Sequence, residues 1–390
     1  MFKMAEHKEE YIAEQRIMGE FTGSKRGPSV LIFAGIHGNE KAGVYASERI
    51  IDRIQSQSIP FIGNVYFILG NIGALNKGVR YRDQDLNRIW NRDHIEAIKL
   101  GDIESTDETV EQIEIYDLIK QILKKDNGPF YFLDLHTTSS NSEPFITISD
   151  SLNNRKFSSH FPIPVVLGIE EYLDGPLLTF INEYGHVALG FEGGAHGDPG
   201  SVDNSEAFIW KALVYSGAMH KEALHDFDRY EQRLSALCCK YQFFEITYRY
   251  LVGKNERFLM KAGFENFESI EKGQILAESN GRTIHAQQNG RIFMPLYQEL
   301  GDDGYFILHP ISKFWMRASK VARKWRIHHF LRLIPGVHQD PSNSFTLIVD
   351  PKIARFMAKQ IFHLFGYRQQ IYKDNKLHFI KRDRKLTDLH

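Results

Sequence analysis

Cysteine is almost missing from this 390-residue chain: Cys238 and Cys239 are its two, and they are adjacent. Neighbouring thiols cannot staple distant loops, so a disulfide framework is excluded and a reducing compartment fits. They lie in a leucine-containing helical pattern, where small buried hydrophobes are expected. A dominant charge is lacking as well. With 48 Lys+Arg against 49 Asp+Glu the formal net charge is -1, which excludes a globally basic surface for nucleic acid and leaves room for local patches alone. No apolar run approaches the ~20 residues needed to span a bilayer. The opening stretch MFKMAEHKEEYIAEQ is charged throughout and has no apolar signal-peptide region. The expectation is a cytoplasmic protein without a membrane span, and no nucleic-acid partner is expected.

What is present is a globular composition, 42% hydrophobic and 25% charged, in a chain too long for one compact core. The first half alternates strand-like and helix-like segments. Ser29 to Ile36 is a short apolar run followed by a Gly-rich turn and a helical stretch from Lys41 to Ile54. Strand-like runs recur at Asn64 to Leu69, Phe130 to Leu135, Phe145 to Ile148, Pro164 to Leu167 and His186 to Phe191. Helical patterns end near Lys125 and cover Leu177 to Tyr184 and Ser205 to Leu224. Strands separated by helices predict an α/β fold with a mostly parallel sheet and helices on both faces. After about residue 240, alternating segments such as Phe243 to Leu251 and regularly spaced glycines predict a smaller β-rich domain. A strand (Phe345 to Val349), a helix (Pro351 to Phe365) and a hairpin around Lys373-Asp374-Asn375 complete the pattern. The predicted division is 1–235, 236–310 and a C-terminal extension at 311–390.

Polar groups at strand ends carry the chemistry. In Ala34-Gly-Ile-His-Gly-Asn-Glu40, His37 and Glu40 follow directly on a buried-type strand, three positions apart. That is close to one helical turn, so imidazole and carboxylate can converge on one metal ion. The strand Tyr131 to Leu135 ends in His136, and the strand through Phe191 ends in Glu192. In open α/β sheets functional groups gather at the carboxyl ends of strands. Two His and one carboxylate leave a fourth zinc position for water, and a second carboxylate can act as general base. The loop from Val79 to Arg88 adds Arg80, Asn87 and Arg88, whose donors suit a carboxylate or a polarised carbonyl. On composition alone this loop reads as a surface loop whose charges are compensated by Asp83 and Asp85.

His37-Gly-Asn-Glu40, Arg80 with Asp85-Leu-Asn87-Arg88, His136 and Glu192 together resemble the succinylglutamate desuccinylase/aspartoacylase family of the zinc carboxypeptidase-like superfamily. The resemblance covers roughly residues 28 to 310. It implies a carboxypeptidase-like α/β domain with a mostly parallel or mixed sheet, followed by a smaller β-rich domain. It further implies Zn2+ held by His37, Glu40 and His136, with Glu192 activating the attacking water. Arg80 would polarise the scissile carbonyl, and Asn87 with Arg88 would grip a substrate carboxylate. Gly193-Gly-Ala-His-Gly-Asp-Pro-Gly-Ser-Val-Asp-Asn204 also looks like a family feature. Asp134, two residues before His136, shares its side of the strand and can support it.

The chain departs from the pattern at one grip. Aspartoacylase itself carries a further arginine shortly before its catalytic glutamate, whereas here the only Arg between His136 and Glu192 is Arg155, far upstream. A tyrosine from the β-domain also belongs beside the family's site, and both Tyr297 and Tyr305 are candidates. The expected activity is that of a zinc-dependent deacylase on an N-acyl amino acid or similar small amide. A carboxypeptidase or amidase on a short peptide, and a catalytically silent metal-site binding protein, are the alternatives; a homo-oligomer is compatible with each. Beyond residue 310, Lys313, Arg317, Lys320, Arg323, Lys324, Arg326 and Arg332 stand in an acid-free stretch from Gly304 to Gln339 with Trp315 and Trp325. Such a segment can form an amphipathic helix for an anionic membrane or nucleic acid. The plainer expectation, preferred here, is a helix packed on its own domain by its aromatics, its charges met by the acidic stretch at 102–117.

Overall fold

The computed structural model describes residues 13, 15–235, 242–298, 300–325, 327–352, 359–373, 375–387 and 389. Cys238, Cys239, Arg326 and the hairpin residue Asp374 lie outside the described residues. Strands are numbered along the chain. β1 (Ile17–Thr22), β2 (Ser29–Ala34), β3 (Asn64–Leu69), β4 (Phe130–Thr138), β5 (Phe145–Ile148), β6 (Val165–Leu167), β7 (Val187–Ala195) and β8 (Phe243–Leu251) belong to one large sheet. The three-stranded sheet holds β9 (Phe258–Met260), while β10 (Ser269–Ile270) returns to the large one. β11 (Ile275–Ser279) and β12 (Arg282–His285) complete the three-stranded sheet, and β13 (Gly290–Phe293) and β14 (Asp303–Pro310) complete the large one. The large sheet thus has eleven strands in the order β1-β3-β2-β4-β7-β5-β6-β8-β14-β13-β10.

The centre of the sheet, β3-β2-β4-β7, is parallel throughout. Its strands are buried on both faces, as covered parallel sheets require. Along β2, Val30, Ile32 and Ala34 join one apolar cluster with helices α1 (Ala42–Gln57) and α7 (Pro199–Tyr215). Leu31 and Phe33 point the other way, into a cluster with α4 (Asp107–Lys125) and α6 (Leu177–Glu183). This two-residue alternation sets the layers: helices, sheet, helices. The helix starts follow from local chemistry. Thr106 and Thr109 form a reciprocal capping box before α4. Asp198 caps α7 and Pro199 occupies its first turn, which is why that helix begins ahead of the expected Ser205; it ends at Tyr215 rather than Leu224, just before Gly217 in the left-handed region at φ 82°. The expected loop after Leu69 contains α2 (Ile72–Lys77) and α3 (Arg92–Leu100), capped by Asn71 and Asn91.

The sheet does not stop at the β-rich region. β8 pairs in parallel with β6, and β14, β13 and β10 extend it antiparallel, so loops at the carboxyl ends of the parallel strands and β-rich loops can meet. The expected hairpin is formed by β17 (Tyr367–Lys373) and β18 (Lys376–Lys381), with Asn375 in the left-handed region at φ 58°. With β15 (Val337–Gln339) and β16 (Thr346–Val349) they make a four-stranded sheet.

A buried ion network ties this extension to the first part of the chain. Asp150 is fully buried and receives Arg155, Arg323 (3.0 Å) and Arg368 (2.9 Å). Arg368 also reaches Glu171 at 3.1 Å. Burial alone would push Asp150 up, but the three guanidinium groups hold it well below the usual carboxylate range. Five of the seven acids of 102–117 are engaged elsewhere: Asp107 with Arg82, Glu108 with the backbone of Arg82 and its neighbours, Glu111 and Glu114 with Arg16, and Asp117 with Lys99. Among the described residues none of them pairs with the basic tail, which corrects that expectation.

Replacing Asp150 with Ala leaves three buried cations short of their anion, and should cost about 3–5 kcal/mol. Thermal unfolding of parent and variant at neutral pH measures it. Because Asp150's folded pKa is depressed, its contribution is complete above the unfolded value of about 3.9. It is lost as pH falls through the folded pKa, so the gap between parent and variant should close only under strongly acidic conditions.

Candidate metal centre

Three neighbouring strands, β2, β4 and β7, deliver the site from their carboxyl ends. After β2 the chain turns through His37, whose carbonyl accepts from Glu40 N at 3.1 Å, and enters α1. Gly38 is required here by space: a Cβ would stand 2.1 Å from the Ala74 carbonyl carbon of α2. β4 runs further than the sequence suggests, so His136 lies within the strand, in register with Glu192 on β7. Asp134 is two residues earlier on the same side.

Glu40 is the hub. Its Oε1 lies 2.8 Å from His37 Nδ1, and its Oε2 lies 3.0 Å from His136 Nδ1 while accepting from Thr137 N at 3.0 Å. All three side chains are buried, and one ligand atom from each falls within 4.8 Å of the others. The outer nitrogens are held by further carboxylates. His37 Nε2 is 3.0 Å from Asp85 Oδ1, and His136 Nε2 is 2.8 Å from Asp134 Oδ2, an ion-pair approach off hydrogen-bond alignment. Each imidazole therefore turns Nδ1 inward and leans Nε2 on an acid, the arrangement that orients metal-binding histidines. Two imidazole nitrogens and a carboxylate oxygen, buried and convergent, fit a zinc-type divalent ion with a coordination position left for water.

The electrostatics agree with that convergence. Burial would raise Glu40 and Asp85, yet both are held well below the usual range, Glu40 by His37 and His136, Asp85 by His37 and Arg80. Burial would lower His136, but Asp134 and Glu40 raise it. Glu192 goes the other way: burial, reinforced by Glu40 and Asp134, pushes it up to about 8. Its Oε2 is buried without a hydrogen-bond partner.

These groups line a cavity of about 160 Å³, room for roughly ten water positions on the scale where one needs ~10–15 Å³. Arg80 reaches Asp85 at 2.9 Å and Glu40 at 3.4 Å. Asn87 is at the wall, where its Oδ1 accepts from Leu177 N at 2.9 Å. Arg88 also lines it and contacts Asp303 of β14 at 3.2 Å. Arg155 does not; it is buried against Asp150. Neither tyrosine candidate reaches the cavity. Tyr305 is buried in the β-rich core against Tyr250, and Tyr297 donates to Lys261 O at 2.7 Å. The β-rich region instead contributes Leu296, Gln298 and Phe306.

Three features were not singled out from the sequence. Asp85 was read as a charge-compensating neighbour, yet it positions His37. His196 lines the cavity, 2.7 Å from Thr137 Oγ1; its place in the Gly193 to Asn204 segment was the available signal. Tyr81, beside Arg80, lines the cavity as well.

Comparisons with known proteins point the same way. The model of the succinylglutamate desuccinylase/aspartoacylase catalytic domain matches residues 26–208. A succinylglutamate desuccinylase of Pseudomonas putida is 31% identical over 277 residues, covering 69% of this chain and 79% of that protein. One from Pseudomonas aeruginosa is 32% identical over 117 residues, and there the chain spans 33% of the relative's length and 30% of its own. Among solved structures, a succinylglutamate desuccinylase/aspartoacylase from Rhodobacter sphaeroides superposes with a TM-score of 0.55 at 15% identity, covering 75% of this chain and 88% of that one. That likeness concerns the fold.

Exchange of Asp85 for Ala should free the outer nitrogen of His37 and weaken divalent-ion affinity roughly 10–100-fold. Competition against a chromophoric chelator measures this. Unchanged affinity would remove Asp85 from the site's support.

Proposed function

Since the chain belongs to the succinylglutamate desuccinylase/aspartoacylase family, we propose that it is a zinc-dependent amidohydrolase that cleaves a small N-acyl amino acid to a carboxylate and an amine. The observation that carries the reading is the convergence of His37, Glu40 and His136 beside the unpartnered carboxyl of Glu192. His37, Glu40 and His136 would hold the ion. Zinc, when bound, supplies Lewis acidity towards the amide carbonyl and lowers the pKa of water.

The protein's own groups do the rest. Glu192, buried beside these residues with its Oε2 unpartnered, would take a proton from the attacking water and return it to the leaving amine. Arg80, fixed by Asp85, offers fixed positive charge where the carbonyl oxygen gains negative charge. Arg88 is the cation available to a substrate carboxylate, with Asn87 beside it. The cavity's size supports a small amide over an extended peptide.

Metal analysis and hydrolysis of a panel of N-acyl amino acids test the proposal. Glu192→Gln should keep the metal and lower kcat about 10²–10⁴-fold. A near-parental rate would remove Glu192 from the role of base. Absence of stoichiometric metal from the parent, with His37→Ala changing nothing, would refute the enzymatic reading. Arg88→Ala should raise KM for carboxylate-bearing substrates about tenfold or more and affect kcat far less, since the grip acts on bound and reacting substrate alike. Steady-state kinetics on acidic and neutral N-acyl amino acids separate these effects.

A further inference from the structure

The helix α9 (Lys313–Lys324) presents apolar and basic side chains together to solvent. Phe314, Val321 and Trp325, spaced seven and four residues apart, fall on one stripe and are exposed by 69%, 53% and 79%. Phe330 and Leu333, in the turn of helix Ile327–Leu333 that packs against α9, are exposed by 66% and 76%. This overturns the expectation that the aromatics pack the helix onto its own domain. Beside the stripe, Lys313, Arg317, Lys320 and Lys324 recur at spacings of four, three and four, forming an adjacent exposed row. Among the described residues none of the four has an acidic partner, and no acid occurs from Gly304 to Gln339.

The opposite side of α9 fixes this orientation. Ser319 Oγ donates to Leu364 O at 2.8 Å. Arg323 donates to Asp150 O at 2.8 Å and to His363 O at 2.9 Å, and is paired with the Asp150 carboxylate. Rolling the helix to hide Phe314 and Trp325 would pull Arg323 out of the buried network. The stripe is therefore held outward at the expense of exposed apolar area, a feature that marks an interaction surface.

We propose that this face of α9 binds the surface of an anionic lipid bilayer, with the helix lying in the plane of the interface. Aromatic and aliphatic side chains can enter the boundary between headgroups and acyl chains while the basic row meets lipid phosphates, the pattern of interfacial helices. A second copy of the chain fits less well, because a two-fold contact through the same face would bring the two uncompensated basic rows together. Nucleic acid would use the cations and the indole rings, but has no use for Val321 and Leu333. The inference does not depend on the hydrolase reading.

The test is sedimentation of the full chain with vesicles of phosphatidylglycerol and phosphatidylcholine, against phosphatidylcholine alone. The expected result is at least about tenfold stronger partitioning onto the anionic vesicles, falling with added salt. Brominated lipid should also quench the parent's tryptophan fluorescence, a readout requiring no variant. Replacing Lys313, Arg317, Lys320 and Lys324 by Gln, or Phe314 and Trp325 by Ser, should each abolish most of the binding with an unchanged circular-dichroism spectrum. Equal partitioning onto neutral vesicles, no quenching, or binding retained by both variants would overturn the proposal. So would concentration-dependent dimerisation that the Ser variant removes, or an RNA oligonucleotide displacing the chain from vesicles.

Discussion

The parallel register of β2, β4 and β7 is the constraint on which the site depends. It aligns the carboxyl ends of three segments far apart in sequence, so that His136 on β4 and Glu192 on β7 lie in register beside the short turn after β2 that carries His37 and Glu40. Rigid strands hold such groups more closely than loops can. The arrangement gathers Glu40, Asp85, Asp134 and Glu192 in a buried space, a cost that His37, His136 and Arg80 offset only partly. Glu192 bears the remainder: burial raises its pKa, and Glu40 and Asp134 add to this against the opposing pull of His136 and Arg80.

The strand-end histidines and acids were legible in the sequence because short buried strands leave a strong apolar signature, and a polar residue placed at its end stands out. Asn64 to Leu69 and Phe243 to Leu251 were found with their full extents for the same reason. The ends of β4 and β7 were not, since Thr137, Thr138, Gly193 and Gly194 carry little strand signal and continue only because neighbouring strands pair with them. Asp85 could not be assigned, because its partner His37 is 48 residues away and a nearby arginine offered a sufficient local explanation. The tyrosine question was likewise settled by packing: Tyr305 points into the β-rich core along β14, and Phe306, next in the strand, faces the cavity. A one-residue step in a strand exchanges faces, and spacing alone does not say which face is inward.

The extension illustrates a second limit of sequence patterning. Its seven basic residues read as one run, yet the structure divides the five on α9 by helix face. Arg323 turns inward to Asp150, while Lys313, Arg317, Lys320 and Lys324 turn out. Asp150 directly follows Ile148 and Ser149, which line the cavity. The ion network that anchors the extension is thus adjacent in the chain to a wall of the site. Deleting the extension would uncover buried Asp150, Glu170 and Glu171 together, removing their cationic partners Arg323, Arg368 and Arg382. That loss would disturb the wall as well as the fold, so the extension is structurally part of the site's support.

Under the proposed activity, substrate choice would turn on Arg88. The missing second arginine before Glu192 leaves Arg88 as the outer cation of the cavity, and the structure shows it already engaged by Asp303. Asp303 is in turn held by Arg249 at 2.6 Å, so it has a cation of its own should Arg88 move to a ligand. An incoming carboxylate would then share Arg88 with an acid rather than find an unneutralised pair of guanidinium groups. Coulomb attraction at the mouth is correspondingly weaker, with Asp302 exposed beside it. Under the proposed activity, a site built this way would gain less from a dicarboxylic amino acid than one with two free arginines, and more of its discrimination would fall to the rest of the lining, which includes Leu173, Leu178, Phe306, Thr147 and Thr179.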